Sequence, residues 1–432
     1  MPGTKESLLF LTHRLPYPPN KGDKIRSFHL LKHLSSRYRV YLGTFIDDPD
    51  DLKHVRKLEE LCQEVHVEVI RPRLRKLLSA RGLLQGKALS LPYYYHPRLA
   101  AWVRDKLASD TTTRVLAFSS PMAQYVLDDR YQSLHRIADF VDVDSEKWRQ
   151  YAENFGWLMR YLHRREGARL LEFEKKVTAE FDHTIFVSEA EARLFHRLAP
   201  GSIPKVTHIN NGVDVEFFSP ERPYVNPYLD GELPMAFTGA MDYRANIDAA
   251  RWFAQEIFPR IIEQIPAARF YIVGARPTEE VRRLGKLEGV CVTGTVPDIR
   301  PYLFHARFAV APLRVARGIQ NKVLEAMAMA KIVLATPAAI EGLGLPGEFS
   351  GMASDVPTVL VARTVELLNG DDKRGLAQKG RDFAVRAYSW DYAWQRFESL
   401  MQMPGTEQGN EQEQIAVDSI HGPHIVASTD AA

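Results

Sequence analysis

The stretch APLRVARGIQNKVLEAMAMAK, Ala311 to Lys331, gathers cations where a helix is about to begin. An apolar strand is expected to end at Pro312, followed by a loop carrying Arg314, Arg317 and Gly318, with a helix from Gln320 or Asn321. The first amides of such a helix have no intrahelical acceptor, and the aligned peptide dipoles add partial positive charge, so its start is an anion site. Lys322 falls in the first turn, where the dipole disfavours a cation by about 0.3–1 kcal/mol. A cluster of cations there makes sense if a diphosphate neutralises it. Glu325 lies three residues further on, on the same face and one turn deeper. There it could accept hydrogen bonds from two vicinal hydroxyls, as on a ribose. The alternative is a solvated Lys322 with Glu325 as its helix partner, and spacing alone leaves both readings open.

Three further loops carry candidate chemistry. In AFTGAMDYRANIDAARWF, Ala236 to Phe253, a strand runs into Gly239, the loop holds Arg244 and Asn246, and Asp248 begins a helix. Gly239 would let the backbone approach a phosphate and Arg244 could pair with it, although such a glycine can equally serve only the turn. In the first loop, Pro16 to Lys24, Gly22 precedes a helix with Asp23 as its expected N-cap and Lys21 and Lys24 alongside. That loop reads either as a face toward the same ligand or as a Pro-rich surface segment. In DFVDVDSEKW, Asp139 to Trp148, Asp142 and Asp144 form an Asp-x-Asp pair after a strand. The pair could chelate a divalent metal on a diphosphate, or supply a helix cap and a carboxylate to a cleft.

These loops need elements to hold them, and the chain alternates strand, loop and helix throughout. Apolar runs at Ser7–Thr12, Val40–Phe45, Val65–Ile70, Arg114–Phe118, Arg136–Val141 and Thr184–Val187 read as strands, with a first helix around Ile25–Leu34. The pattern breaks at THINNGVDVEFFSPERPYVNPYLDGELP and restarts with strands at Met235–Thr238, Ala268–Val273, Val290–Thr293, Phe308–Pro312 and Lys331–Ala335. Helices are expected over Ile247–Ile265, Asn321–Ala330 and Trp390–Met401. Such alternation predicts an α/β protein of two Rossmann-like, doubly wound parallel-sheet domains, and 432 residues exceed one hydrophobic core. The expected division is 1–208, 209–389, a last helix at 390–403 and a disordered tail over 404–432. Ligands bind beyond the carboxyl ends of such strands, so the active site is expected in the cleft between the halves.

Composition excludes other classes. A formal charge of +2 gives no footprint for nucleic acid. Two cysteines, Cys62 and Cys291, are far apart and read as thiols in a reducing compartment. No uncharged apolar stretch reaches the ~18 residues that span a bilayer, and the N-terminal apolar run reads as a buried strand, so a cytoplasmic protein is expected. Arg71 to Lys106 is basic and amphipathic, with Leu and three tyrosines interleaved. It reads either as a peripheral contact with an anionic membrane or as a solvated helix face over the first sheet.

Taken together, INNGVDVEFFSP, FTGAMDYRANIDAARWF, FYIVGARP, VTGTVPDIRPYL and NKVLEAMAMAKIVLATPAAIEGL resemble the GT-B retaining glycosyltransferases, glycosyl transferases group 1. With HRLPYPPNKGDKIRSFHLLKHL and DFVDVDSEKW, the chain looks like the bacterial sugar transferases of the PEP-CTERM/exosortase exopolysaccharide system. The resemblance implies a GT-B fold and transfer of a sugar, with retention, from a nucleotide-diphosphate sugar to a glycan or polyprenyl-linked acceptor, with no metal or other cofactor. It implies that Glu325 takes the ribose and that Lys322, with the helix start at Asn321, sits beside the diphosphate. Gly239 to Arg244 would lie under the diphosphate, and the main chain at Val296 would meet the base. Asp142 and Asp144 then stand as cleft carboxylates, and Gly22 faces the donor from the first domain.

Two departures stand out. The family's Glu-x7-Glu would put a glutamate at position 317, where this chain has Arg317, and Ala240 replaces the arginine usual after the first glycine. Arg244, Arg314 or Arg317 could supply that charge, making Arg317 a catalytic candidate. The same substitution keeps two alternatives open: a degenerate, non-catalytic assembly subunit and, less favoured, a nucleotide-sugar epimerase.

Overall fold

The computed structural model describes residues 5–402 apart from 20–21, 80, 109–111, 153–155, 317 and 371–373, so Arg317 and the tail expected over 404–432 lie outside the described residues. Two parallel sheets organise the chain. The first contains β1 (Ser7–Thr12), β2 (Arg39–Ile46), β3 (Glu64–Val69), β4 (Thr112–Phe118), β5 (His135–Val141), β6 (His183–Phe186) and β7 (Val206–His208), in the order β3-β2-β1-β4-β5-β6-β7. The second contains β8 (Leu233–Thr238), β9 (Ala268–Val273), β10 (Val290–Gly294), β11 (Phe308–Ala311) and β12 (Val333–Ala335), in the order β10-β9-β8-β11-β12. In each sheet the winding reverses beside the first strand, between β1 and β4 and between β8 and β11. Crevices open at the carboxyl ends of such strands, and this is where the candidate loops emerge.

The strands are continuous apolar runs because helices cover both faces of each sheet. All six residues of β1 are buried, with Leu9 and Leu11 on one face and Leu8 and Phe10 on the other. Short β7 was not anticipated; it is three residues long and directly adjoins the polar Asn/Gly segment.

The helix expected over Ile247–Ile265 is instead three pieces: Arg244–Trp252, a π-turn at Phe253–Ile257 and Phe258–Ile262. Pro259 has no N–H and its ring clashes with the carbonyl four residues earlier, so the turn ahead of it widens, and Phe258 N–H bonds to Phe253 O.

The last helix, Trp390–Met401, returns to the first domain. Its stripe Trp390, Ala393, Trp394, Phe397 and Met401 packs with Leu8, Phe10, Leu30 and Leu34. Each large apolar side chain buried this way contributes about 1.5–3 kcal/mol. His33 and Arg37 of the first helix, Gly22–Arg37, reach Glu398 at 2.6 and 3.3 Å. Gly212 is required where the linker passes this helix, because a Cβ there would lie 2.7 Å from Trp390.

Candidate functional site

The second domain builds a cradle around Gly239. β8 and β9 end in Gly239 (φ +153) and Gly274 (φ +158), a region glycine tolerates. A Cβ on Gly274 would stand 1.7 Å from Gly239 O, so position 274 must be glycine, and a Cβ on Gly239 would lie 2.8 Å from Asn246 Nδ2. Asn246 is buried in the following helix; its amide donates to Ala240 O at 2.8 Å, and its Oδ1 accepts from Lys322 Nζ at 2.5 Å. Lys322 also lies 5.1 Å from the Phe237 ring centroid. One asparagine thus ties the glycine loop to the helix Asn321–Ala328.

That helix starts without a side-chain cap, and of its first amides Val323 N–H bonds back to Gln320 O at 2.9 Å. Burial lowers the Lys322 ammonium to about 8 against the pull of Glu325, and raises the Glu325 carboxyl to about 7 against the charge of Lys322. Among the described residues no group hydrogen-bonds to the Glu325 carboxylate. A half-buried acceptor without a described hydrogen-bond partner, one turn from an uncapped helix start, has the chemistry to accept from hydroxyls next to an anion.

The other candidates divide. Arg244 is exposed at the start of its helix, with no described partner. Arg314 is committed elsewhere: its guanidinium grips Asp248 at 2.6 and 3.1 Å and lies 5.3 Å from the Trp252 ring. Gly318 is exposed at φ +64 in open space, and Val296 packs beside Tyr228 and Tyr271. Arg317 lies outside the described residues.

The first domain assembles a second cluster, most of which the sequence reading missed. Directly after β1 stand His13 and Arg14. Asp23 does not cap the first helix, which begins at Gly22; its carboxylate accepts from Arg14 at 2.7 Å and lies 3.3 Å from His13. Burial works against its charge, yet the His13 hydrogen bond and the Arg14 charge hold Asp23 well below the usual carboxylate range. Arg14 also reaches Asp47 after β2 at 2.9 Å. His13 stacks on Phe118 with its Nδ1 buried and unpaired, and Tyr94 packs edge-on. Gly22 is exposed with open space around it, whereas Lys24 turns inward to Asp51 at 2.5 Å, contrary to its expected place along the loop.

Asp142 and Asp144 come together at one lysine. Val141 takes φ +70, costly for a β-branched residue, and is held by its N–H to Asp139 Oδ1 and its carbonyl to Val187 N. The turn carries both aspartates out of the sheet, where Lys147 Nζ bridges them at 2.6 and 3.2 Å. Burial raises Asp144 despite Lys147, and the two aspartates raise Lys147 despite burial. Beneath them the buried Glu174 accepts from Ser145 Oγ at 2.6 Å and from Ser145 N at 3.3 Å, and burial raises it to about 8. At the domain junction, fully buried Arg26 pairs with Asp139 at 2.8 Å and donates to Ile209 O and Asn211 Oδ1.

The basic segment Arg71–Lys106 splits in two. Leu99 and Val103 of the helix Pro97–Leu107 are in the core and Lys106 pairs with Glu64, so this part covers the sheet. Tyr94 faces His13 and Tyr95 stacks on Tyr125. Arg71, Arg73, Leu74, Leu83 and Lys87 remain exposed.

Residues 234–370 match the family model described as glycosyl transferases group 1. The whole architecture is that of solved GT-B glycosyltransferases. Anabaena HepE, in complex with UDP and glucose, superposes with a TM-score of 0.60 at 15% identity, covering 92% of this chain and 99% of that one. A glycosyltransferase from Rickettsia africae gives 0.61 at 12% identity, over 93% and 100% of the two chains. A variant of S. aureus TarM, in complex with UDP, fondaparinux and α-GlcNAc-glycerol, gives 0.58 at 11%, over 92% and 100%. No curated protein matches the chain significantly.

Proposed function

We propose that this protein transfers a hexosyl group from a nucleotide-diphosphate sugar to a glycan or polyprenyl-linked acceptor, in the assembly of a bacterial exopolysaccharide. The observation that carries the reading is the second-domain receptor: the Glu325 carboxylate without a described partner, one turn beyond Lys322, which Asn246 ties to the Gly239 loop. A ribose diol suits Glu325, and a diphosphate suits the helix start with Lys322. Arg244 is the exposed cation that could replace the arginine absent at Ala240, because Arg314 is held by Asp248.

As the sugar leaves, negative charge grows on the diphosphate, and fixed amides with Lys322 stabilise it without reorganising. Asp142, Asp144 and His13, at the carboxyl ends of the facing sheet, would orient the acceptor. Lys147 occupies the position between the aspartates that a divalent ion would bridge, which supports cleft carboxylates rather than a metal site. Retention at the anomeric carbon is part of the proposal, and the family resemblance supports it. HepE was solved with UDP-glucose, and WaaG, another structural neighbour, is a glycosyltransferase of lipopolysaccharide biosynthesis. Among the described residues no helix is long and apolar enough to cross a membrane. The exposed cations of Arg71–Lys87 support work at the cytoplasmic face of an anionic membrane.

A thermal-shift screen against UDP, GDP, ADP and their sugar conjugates tests the reading. A ligand at 100 times its Kd adds about 2.7 kcal/mol to stability. Stabilisation by one nucleotide, abolished in Glu325→Ala, is the expected result. No response to any of them at millimolar concentration overturns the reading in favour of a non-catalytic subunit.

A further inference from the structure

The helix Asp144–Ala152 and the 24-residue helix Trp157–Glu180 form a hairpin in the first domain. Its tip is unlike the rest of the surface. Residues 156–161 are all exposed, and four of them are large and apolar: Trp157 at 80%, Tyr161 at 65%, Leu158 at 54% and Met159 at 43%. Single exposed apolar residues are ordinary, but four within five positions at one helix start mark an interaction surface. The charges on the first two and a half turns of this helix have one sign. GWLMRYLHRR, 156–165, contains Arg160, Arg164 and Arg165 and no acidic residue. Arg160 and Arg164 are exposed, lie one turn apart beside Trp157 and Tyr161, and pair with no described residue.

The tip is also continuous with the exposed part of the basic segment. Arg165 donates to the carbonyls of Gly82 and Lys87, and the buried Glu166 carboxylate accepts from Leu89 N, Ser90 N and Ser90 Oγ. Exposed Leu83 and Lys87 therefore belong to the same face.

We propose that this hairpin tip is an interfacial anchor that inserts Trp157, Leu158 and Tyr161 into the headgroup region of an anionic bilayer, with Arg160 and Arg164 on lipid phosphates. Amphipathic Trp and Tyr rings favour that depth, and exposed cations add affinity only on an anionic surface. A second copy of this chain fits less well, because a two-fold contact would set Arg160 and Arg164 against their own equivalents. The anchor deepens the functional reading, on which only its consequence for the acceptor rests. Asp144 begins the helix that runs up to the tip, so a nine-residue helix of about 13 Å separates the candidate acceptor carboxylates from the membrane plane. A lipid-linked acceptor could then present its head to Asp144 while its chain stays in the bilayer.

The test is sedimentation of the full chain with vesicles of phosphatidylcholine alone or with added phosphatidylglycerol. Wild type should bind only the anionic vesicles. Trp157→Ser with Tyr161→Ser should abolish binding, and Arg160→Gln with Arg164→Gln should weaken it about 25-fold, at about fivefold per cation. Val225→Ser with Leu229→Ser, removing two equally exposed apolar residues of the second domain, should leave binding unchanged. Unaltered melting temperature and nucleotide binding would show that the tip variants are folded. Wild type that ignores anionic vesicles, tip variants that bind as well as wild type, or a dimer that tip variants dissolve would each overturn the anchor. Loss of nucleotide binding in wild type would overturn the transferase reading and leave the anchor standing.

Discussion

The two domains carry parallel sheets wound alike, one of seven strands and one of five, but opposite electrostatics at their open ends. In the first, the candidate acids are already answered by the protein's own cations: Asp142 and Asp144 by Lys147, Asp23 and Asp47 by Arg14, Asp139 by Arg26. In the second, Glu325 has no described hydrogen-bond partner and Lys322 has only an amide oxygen. A site that neutralises itself keeps its shape without ligand, whereas a site that leaves half-buried charges without hydrogen-bonded counter-ions gains most when a ligand arrives. The difference suits the second domain to the proposed role of donor receptor and the first to that of a preformed wall for the acceptor.

That contrast orders the mutational effects. Lys322→Ala removes the cation proposed to face the diphosphate and should lower kcat by about 10²–10³, the loss typical of one preorganised charge stabiliser. Steady-state kinetics with saturating donor measures it, and an unchanged kcat would break the comparison. Glu325→Gln should weaken donor binding by about 1.5–3 kcal/mol, as for a lost charged hydrogen bond, read by calorimetry at fixed pH. Arg244→Ala should cost less, about 1 kcal/mol in donor affinity, as expected for an exposed charge, while Arg314→Ala should leave affinity unchanged because its guanidinium serves Asp248. Equal losses from both arginines would show that Arg314 leaves Asp248 for the ligand.

The remaining effect lies in the first domain and concerns stability rather than binding. Glu174 has a folded pKa of about 8, above its unfolded value near 4.5. The folded state therefore holds its proton more tightly, and the associated stability is complete below the unfolded pKa and declines as pH rises toward 8. Glu174→Gln should remove that decline, so urea melts of variant and wild type should diverge in the variant's favour between pH 6 and pH 9. Parallel melts would show that Ser145 holds an ionised Glu174.

Much of the fold was legible because buried parallel strands must be apolar throughout. Ser7–Thr12, Ala268–Val273 and Trp390–Met401 stand as elements with the limits read from sequence. The π-turn was not legible, since the apolar period continues through Pro259 while the backbone adjusts around it. In the site, Lys322 and Glu325 were visible because their relation is local, one turn of one helix. Asn246 was visible only as a loop residue, because its partner Lys322 is 76 residues away. His13, Arg14, Asp23 and Asp47 meet across strand ends, and no local spacing announces such a cluster. A charged pair directly after a buried strand was the available signal. Arg314 misled for the same reason: its partner Asp248 lies 66 residues away.

The central claim is that Glu325 and Lys322 form the nucleotide-sugar receptor, and its most direct test is the pH dependence of binding. Glu325 titrates near 7 and Lys322 near 8, so a donor that needs the carboxylate ionised and the ammonium charged should bind best between those values. Calorimetric titration of the selected nucleotide at pH 6, 7.5 and 9 should show tightest binding at 7.5 in wild type. In Glu325→Gln the loss toward pH 6 should disappear and the loss toward pH 9 remain. If the variant keeps the wild-type profile, or wild type binds equally at all three values, Glu325 is not the ribose acceptor and the account is contradicted.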